Sequence, residues 1–434
     1  MSQVDGKQSQ LKIGICGLGT VGSGVVNVLK RNKTLIAQKA GASIEVARIG
    51  ARRDNPACDT SDYNVSRDIF DVVRDSEIDL VVELIGGTTV AKEIVIEALN
   101  NNKSVITANK ALIAAHGDEI LSLARSKGLS VYFEAAVAGG IPIIKSLCEG
   151  MAANDIKEMA GIINGTGNYI LTEMRDKGRS FNEALEDAQA LGYAEADPTF
   201  DVEGIDAAQK LVILSALAFG LPFNEDACFA EGISQVSVED IRFSELLGYR
   251  IKHLGIAKHT QSGIEMRVHP TLVPESQLLA NVNGVMNAVA IKGDAVGQTL
   301  YYGPGAGAEP TASAVIADIV DAVREKISNS PNSCWHVSDE RPKIISIEDV
   351  VTPWYLRIPV ANRSGVLSEI TSALSAQNIS VHAMLQPEST ADVAQIVLTT
   401  SKITLANLEL ALQQIEALDF VSGKITAIRV ETFE

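Results

Sequence analysis

Apolar and polar positions fall into three regimes along the chain. In the first, short apolar runs at 13–16, 43–50, 79–87, 104–108 and 131–134 read as strands, and stretches of helical spacing such as 88–101 and 110–127 lie between them. Buried strands separated by helices predict a doubly wound parallel sheet. From about residue 143 the pattern changes to amphipathic helices (181–190, 201–219), strand-like runs (264–268, 284–291) and a last helical pattern at 312–327, which predicts an α+β region. Residues 329–349 carry Pro331 and Pro342 without a sustained period and read as a linker. Beyond them come a strand (354–359), a helix (365–377), two strands (379–385, 392–399), a helix (405–417) and a strand (423–430). That order, βαββαβ, is the ferredoxin-like arrangement. The expected domains are a Rossmann-type domain over 1–142, to which the helix near 309–328 returns, an α+β substrate and dimerisation domain over 143–328, and a ferredoxin-like domain over 350–434.

Length and charge narrow the picture. A chain of 434 residues is too long for one compact core. Its net charge of −17 repels nucleic acid and anionic membrane, so a phosphate-bearing ligand must be held by local cations and amides. The five cysteines, at 16, 58, 148, 228 and 334, form no C-x-x-C and read as reduced thiols. The first ten residues are polar and no apolar run reaches 18 residues, so the expectation is a cytoplasmic protein with neither a membrane nor a nucleic-acid partner.

The chemistry begins at Gly17-Leu18-Gly19-Thr20-Val21-Gly22, set between the first strand and the first helix. Gly17 allows a tight turn, Gly19 lets a pyrophosphate approach the backbone, and Gly22 lets the helix lie close to the strand, as in a dinucleotide site. After the second strand stand Arg52 and Arg53, where an NAD-selective fold would often place an acid, so NADP is favoured while NAD stays open. Thr107 to Lys110 and Glu134 to Ile141 occupy two carboxyl ends of strands, the position of ligands in such sheets. A second glycine loop, Gly303 to Gly307, opens a helical pattern and suggests another contact with cofactor.

Asp206 and Lys210 are four residues apart on a helical pattern, with Glu195 eleven residues upstream of Asp206. On spacing alone the pair is also a plain salt bridge. In a nucleotide fold a lysine there has a further use: hydride arriving at a carbonyl carbon leaves charge on oxygen, which an ammonium group stabilises and then protonates. Lys110 could serve the same site from the sheet. Glu134, followed by an irregular Gly139-Gly140 backbone, could hold a hard cation through carbonyl oxygens, whereas the histidines show no metal-binding spacing.

The ordered motifs Gly-Leu-Gly-Thr-Val-Gly at 17–22, Thr-Ala-Asn-Lys at 107–110, Glu-Ala-Ala-Val-Ala-Gly-Gly-Ile-Pro at 134–142 and Asn-Gly-Thr at 164–166 continue with Gly-Tyr-Ala-Glu-Ala-Asp-Pro at 192–198 and Asp-Val-Glu-Gly-Ile-Asp-Ala-Ala-Gln-Lys at 201–210. Together with the 303–307 loop, the chain resembles the monofunctional bacterial homoserine dehydrogenases with a C-terminal ACT domain. The resemblance implies interconversion of L-homoserine and L-aspartate 4-semialdehyde with NAD(P), in the biosynthesis of threonine, methionine and isoleucine. It implies Lys210 as proton donor, Lys110 as a second catalytic or cofactor-contacting lysine, and Glu195 and Asp206 as ligands of the substrate amino group. Gly192, Gly305 and Gly307 would touch cofactor beside the 17–22 turn. A sodium ion would be held by Glu134 and the carbonyls of Val137, Gly139 and Ile141. Threonine is the implied effector, and a homodimer or homotetramer the implied assembly.

Two departures stand out. The family usually carries a second hydroxyl residue after Asn-Gly-Thr, where this chain has Gly167, and ACT domains often carry an acid at the position of Asn362. A dehydrogenase of a related amino-acid semialdehyde and a non-catalytic amino-acid-responsive nucleotide sensor remain the alternatives.

Overall fold

The computed structural model describes residues 10–328, 342–387 and 392–433, which form two compact units. The described part of the first takes in 10–156, 209–227 and 292–328. Its sheet is built from β1 (Gln10–Cys16), β2 (Ser43–Gly50), β3 (Val65–Ser66), β4 (Leu80–Glu83), β5 (Ser104–Thr107) and β6 (Val131–Tyr132). Every pairing is parallel and the order is β3-β2-β1-β4-β5-β6, with the glycine-bearing strand in the middle. Helices α1 (Thr20–Arg31), α2 (Lys33–Ala40), α3 (Phe70–Arg74), α4 (Thr89–Asn100) and α5 (Lys110–Ser126) connect the strands. This is the doubly wound arrangement in which the order of strands reverses beside the first strand, which opens the ligand crevice there.

The strand expected over 131–134 stops at Tyr132. Glu134–Ala136 is a single 3-10 turn, and α6 (Ile143–Lys145) follows it.

In the second half come β7 (Ile156–Ile162), α7 (Gly165–Lys177), α8 (Phe181–Ala190), α9 (Thr199–Val202) and α10 (Ile205–Phe219). They are followed by β8 (Phe229–Ala230), α11 (Val238–Leu246), β9 (Tyr249–Thr260), β10 (Gly263–Pro274), β11 (Met286–Gly293), β12 (Gly297–Pro304) and α12 (Ala308–Ser328). The helix expected over 201–219 is two helices, because Gly204, at φ +83, turns the chain between them. α12 lies in the first unit against α1, so close that a Cβ on Gly24 would come within 2.4 Å of the Ala308 carbonyl oxygen.

The C-terminal elements are β13 (Val351–Thr352), β14 (Trp354–Ala361), α13 (Val366–Ala376), β15 (Val381–Leu385), β16 (Val393–Thr400), β17 (Ile403–Thr404), α14 (Leu405–Glu416) and β18 (Thr426–Val430), the expected βαββαβ with a small added pairing of β13 and β17. Of the linker, residues 329–341 lie outside the described residues; Ile344 forms a bridge with Ile264 and Ile347–Asp349 makes one 3-10 turn.

Within the second unit the C-terminal sheet does not stand alone. β18 pairs in parallel with β10 (Thr271 with Arg429, Leu272 with Val430) and antiparallel with β14, so one sheet runs β7-β9-β10-β18-β14-β16-β15. Tyr355, Val397, Ile428 and Val430 share one apolar core with Ile170, Ile251 and Leu272. Arg267 is 1% exposed and ion-paired to both Glu265 and Glu431; the Glu431 carboxylate also binds Lys258, 2.7 Å away.

The expectation of five reduced cysteines fails at Cys148, which is disulfide-bonded, while Cys16, Cys58 and Cys228 are free and Cys334 lies outside the described residues. Pairing depends on a Cα separation of about 4.4–6.8 Å, which spacing in the sequence does not report. No helix among the described residues is long and apolar enough to cross a membrane.

Candidate active site

In the first unit the glycine turn is built as its spacing requires. Gly17 has φ +106, and a Cβ there would meet the Leu84 carbonyl oxygen at 2.6 Å; one on Gly22 would meet the Gly17 carbonyl oxygen at 2.2 Å, so α1 lies directly against the turn. Beside Gly19 there is nothing within 4 Å, and its side opens to a cavity of about 1100 Å³. Gly17, Leu18 and Gly19 line that cavity; Thr20, Val21 and Gly22 begin the helix behind it. The first turn of α1 carries no acid, which leaves its amides suited to an anion.

Arg52, Arg53 and Arg67 line the same cavity. Arg67 donates to the Ala51 carbonyl oxygen and, at 2.8 Å, to Asp54, so the first acid after the arginines is already engaged. Asn55 ties this loop to the glycine turn by donating to the Leu18 carbonyl oxygen at 2.9 Å.

The ends of β4 and β5 are organised by Glu83, fully buried. Its carboxylate accepts the Ile85 amide at 2.8 Å and the Thr107 hydroxyl at 2.6 Å. Burial raises its pKa, and those hydrogen bonds offset part of the effect. Asn109 caps α5 by accepting the Leu112 amide and donates to the Gly87 carbonyl oxygen at 2.6 Å, which fixes the helix start that bears Lys110.

Glu134 accepts the amides of Ile144 and Lys145 at 2.9 and 2.8 Å, and its own amide donates to Asp318. Burial pushes its carboxyl up to about 7. Ala138 and Gly139 follow with φ of +54 and +52. The loop packs on the second glycine loop: a Cβ on Gly139 would meet the Gly305 carbonyl oxygen at 2.4 Å, and the Gly140 amide donates to Pro304. Gly307, at φ +121, leads into α12. Among the described residues no three or more His, Cys, Asp or Glu side chains are grouped to hold a metal.

In the second unit Asn164 caps α7, accepting the Gly167 amide at 2.7 Å and donating at 2.8 Å to both Asp201 and Asp206. Thr166 donates to the carbonyl oxygen of Tyr193, next to Gly192. Asp206 is 4% exposed and shares a face of α10 with Lys210, four residues on. Glu195 stands exposed on the loop before α9, its backbone carbonyl bound to Gln189. The structure therefore joins Asp206 to Asp201 through Asn164, while Glu195 stands exposed on its loop.

His253 lies beneath this turn, its Nε2 2.9 Å from the Glu231 carbonyl oxygen and its buried Nδ1 without a partner. Burial pushes it down to about 4, so it is neutral at ordinary pH. A Cβ on Gly167 would lie 3.5 Å from that Nδ1, so the departure from the family pattern coincides with an unmet hydrogen bond.

Asn55, Arg67, Glu83 and His253 act through contacts distant in sequence, and no local pattern marks them. Asn164 had a signal, a capping residue directly before a helix start.

Residues 142–320 match the family model for homoserine dehydrogenase, residues 17–134 that for its NAD-binding domain, and residues 354–420 that for the ACT domain. The homoserine dehydrogenase of Pseudomonas aeruginosa is 54% identical over 429 residues, which span 97% of this chain and 99% of that one. The crystal structure of a homoserine dehydrogenase from Thiobacillus denitrificans is 51% identical with a TM-score of 0.93, covering 98% of this chain and 99% of that one. A hyperthermophilic archaeal homoserine dehydrogenase in complex with NADPH is 26% identical with a TM-score of 0.62, covering 75% of this chain and 99% of that one.

Proposed function

The chain belongs to the homoserine dehydrogenase family and is an NAD(P)-dependent oxidoreductase, and from that premise we propose that it interconverts L-homoserine and L-aspartate 4-semialdehyde with NADP preferred to NAD. The open side of Gly19 and the cavity beside it fit a dinucleotide, and Arg52, Arg53 and Arg67 supply cations for a 2′-phosphate. Bound there, the cofactor would supply or take up the hydride. Gly192, Gly305 and Gly307 would add a second contact with it.

Asp206 and Glu195 would bind the substrate's ammonium group. Lys210 would stabilise the charge left on the substrate oxygen and give it a proton, a contribution of roughly 10² to 10⁴ in rate. Lys110, at the start of α5, is the second lysine of the site. The observation that carries the reading is Asp206, a carboxylate buried to 4% on the same face of α10 as Lys210.

A sodium ion at Glu134, Val137, Gly139 and Ile141 fits in part. The consecutive left-handed residues Ala138 and Gly139 re-aim the peptide groups, and the buried carboxylate gains from a cation. Against this, both Glu134 oxygens already accept amides and the Ile141 carbonyl accepts that of Ile143. Such an ion would neutralise Glu134 and brace the loop. Threonine as an effector at the ACT domain, a cytoplasmic setting, a homodimer or homotetramer, and a place in threonine, methionine and isoleucine biosynthesis complete the proposal.

Absorbance at 340 nm with homoserine and each cofactor, with and without threonine, tests it. The parent chain turns over homoserine and not malate or serine. Lys210→Ala lowers turnover by about 10² to 10⁴ while NADPH still binds; near-normal turnover in that variant sinks the role given to Lys210.

A further inference from the structure

Resting on the reading that the start of α10 binds the substrate, we propose that residues 229–233 form a strap by which Arg429, in the last strand of the ACT domain, positions the turn between α9 and α10. Glu231 and His253 are its positioning residues. The strap begins from an arrangement along β10. One edge of that strand is filled by β9; on the other, β8 pairs in parallel at Arg267 and Val268, and β18 in parallel at Thr271 and Leu272. β8 and β18 therefore stand one after the other along β10, which brings Glu231, the residue after β8, beside Arg429.

At this end Arg429 Nη1 donates to Glu231 Oε2 at 3.0 Å. The guanidinium is itself confined, 4.4 Å from the ring centroid of Trp354 and 5.2 Å from that of Phe229, so it holds the carboxylate in one place. The Glu231 amide donates to the Val268 carbonyl oxygen at 2.8 Å and ties the strap to β10.

At the other end the Ile233 amide donates at 2.9 Å to the carbonyl oxygen of Val202, the last residue of α9. Gly232 allows this approach, since a Cβ there would come within 2.7 Å of the same oxygen and would also meet the Glu203 carboxylate. The Glu231 carbonyl oxygen lies 2.9 Å from His253 Nε2, so that nitrogen carries the ring proton. The neutral ring packs on the turn, 3.2 Å from where a Cβ on Gly204 would sit. Val202 and Gly204 are thus held from one side, and α10 leaves them with Asp206 in its first turn.

Glu231→Ala cuts the strap from Arg429 and keeps its main chain, whereas Gly232→Ala sets a methyl against the Val202 carbonyl and pries the strap from the turn. With NADP saturating, each raises KM for homoserine about 3- to 10-fold, keeps kcat within twofold, and leaves NADPH binding as in the parent. Glu231→Gln, which keeps an oxygen for Arg429, returns KM to within twofold of the parent. Because both substitutions act through one segment, the double variant falls short of the product of the single effects.

A KM within twofold of the parent in both alanine variants, no recovery in Glu231→Gln, or a double variant equal to the product of the singles overturns the proposal. So does weakened NADPH binding in both alanine variants, the mark of a general loss of fold. If Gly232→Ala does not fold, the two Glu231 variants decide alone. A parent without homoserine turnover overturns the functional reading, and this inference with it; an active parent with unaffected variants overturns this inference alone.

Discussion

Asp54 decides how the arginines after β2 are read. As the first acid beyond them it is the residue that could bond a ribose hydroxyl, yet its carboxylate is held by Arg67 at 2.8 Å, and Arg67 is anchored in turn on the Ala51 carbonyl. Arg52 and Arg53 are exposed at the cavity wall. Loss of a charge-assisted bond to phosphate costs about 1.5–3 kcal/mol, or roughly 10- to 100-fold in affinity. Arg52→Ala therefore weakens NADPH by about that factor and NADH by less than threefold in fluorescence titrations of each cofactor; equal losses would show that Arg52 does not read the 2′-phosphate. The sequence displays Arg52 and Arg53 because they follow a recognisable strand. Arg67 is thirteen residues beyond Asp54, and only the folded loop brings the two side chains together.

Among the elements, those with a strong local period are legible in the sequence almost to the residue: β2 at 43–50, α8 at 181–190 and α5 at 110–126 all begin where the pattern says. What local pattern misses is set by single residues or distant partners. Gly204 divides an apparently continuous helix, and the start of α7 rests on Asn164 and its long-range carboxylates. β9 offers a further case. Lys252, 2% exposed, donates to the Val282 carbonyl and to Asn283, and Asn168 of α7 donates to the Gly284 carbonyl, so strand, helix and the loop before β11 are tied at one point.

Burial, with the Arg175 and Arg250 guanidinium groups nearby, pushes Lys252 down to about 7. Between that value and the 10.5 of an unfolded lysine, the unfolded chain holds a proton that the folded chain has lost, so stability rises with pH across that window. The parent's Tm climbs from pH 7 to pH 10 relative to Lys252→Met by differential scanning fluorimetry. Parallel curves for the two proteins would show that Lys252 stays charged in the fold.

Across the whole molecule, the ACT domain is a recognisable βαββαβ in sequence, but its attachment is not. Nothing in residues 426–430 states that β18 will pair with β10 as well as with β14. The join is extensive: Arg429, beneath Trp354 and Phe229, is ion-paired to Glu231 at 3.0 Å, and Arg357 binds Asp240 of α11 at 2.6 Å. A chain ended at residue 350 leaves Thr271 and Leu272 of β10 without their partners in β18 and strips Arg267 and Lys258 of Glu431. Breaking a buried ion pair by removing one partner costs about 3–5 kcal/mol. The truncated chain is expected in the insoluble fraction or as large aggregates in size-exclusion chromatography. Its recovery as a soluble enzyme with full homoserine turnover would show the ACT domain to be separable from the rest of the second unit.

The same pairing governs the order in which the protein can be completed. β18 is synthesised long after β10, and it fills the place beside β10 in the middle of a sheet, with Arg267 and its partner Glu431 separated by 164 residues. Until residues 426–430 have emerged from the ribosome, Thr271 and Leu272 of β10 wait without their partner strand, and closing a loop of that length is slow. The hazardous period for this protein falls between the synthesis of β10 and that of β18, and a chain interrupted there is exposed at the strand to which the ACT domain is joined.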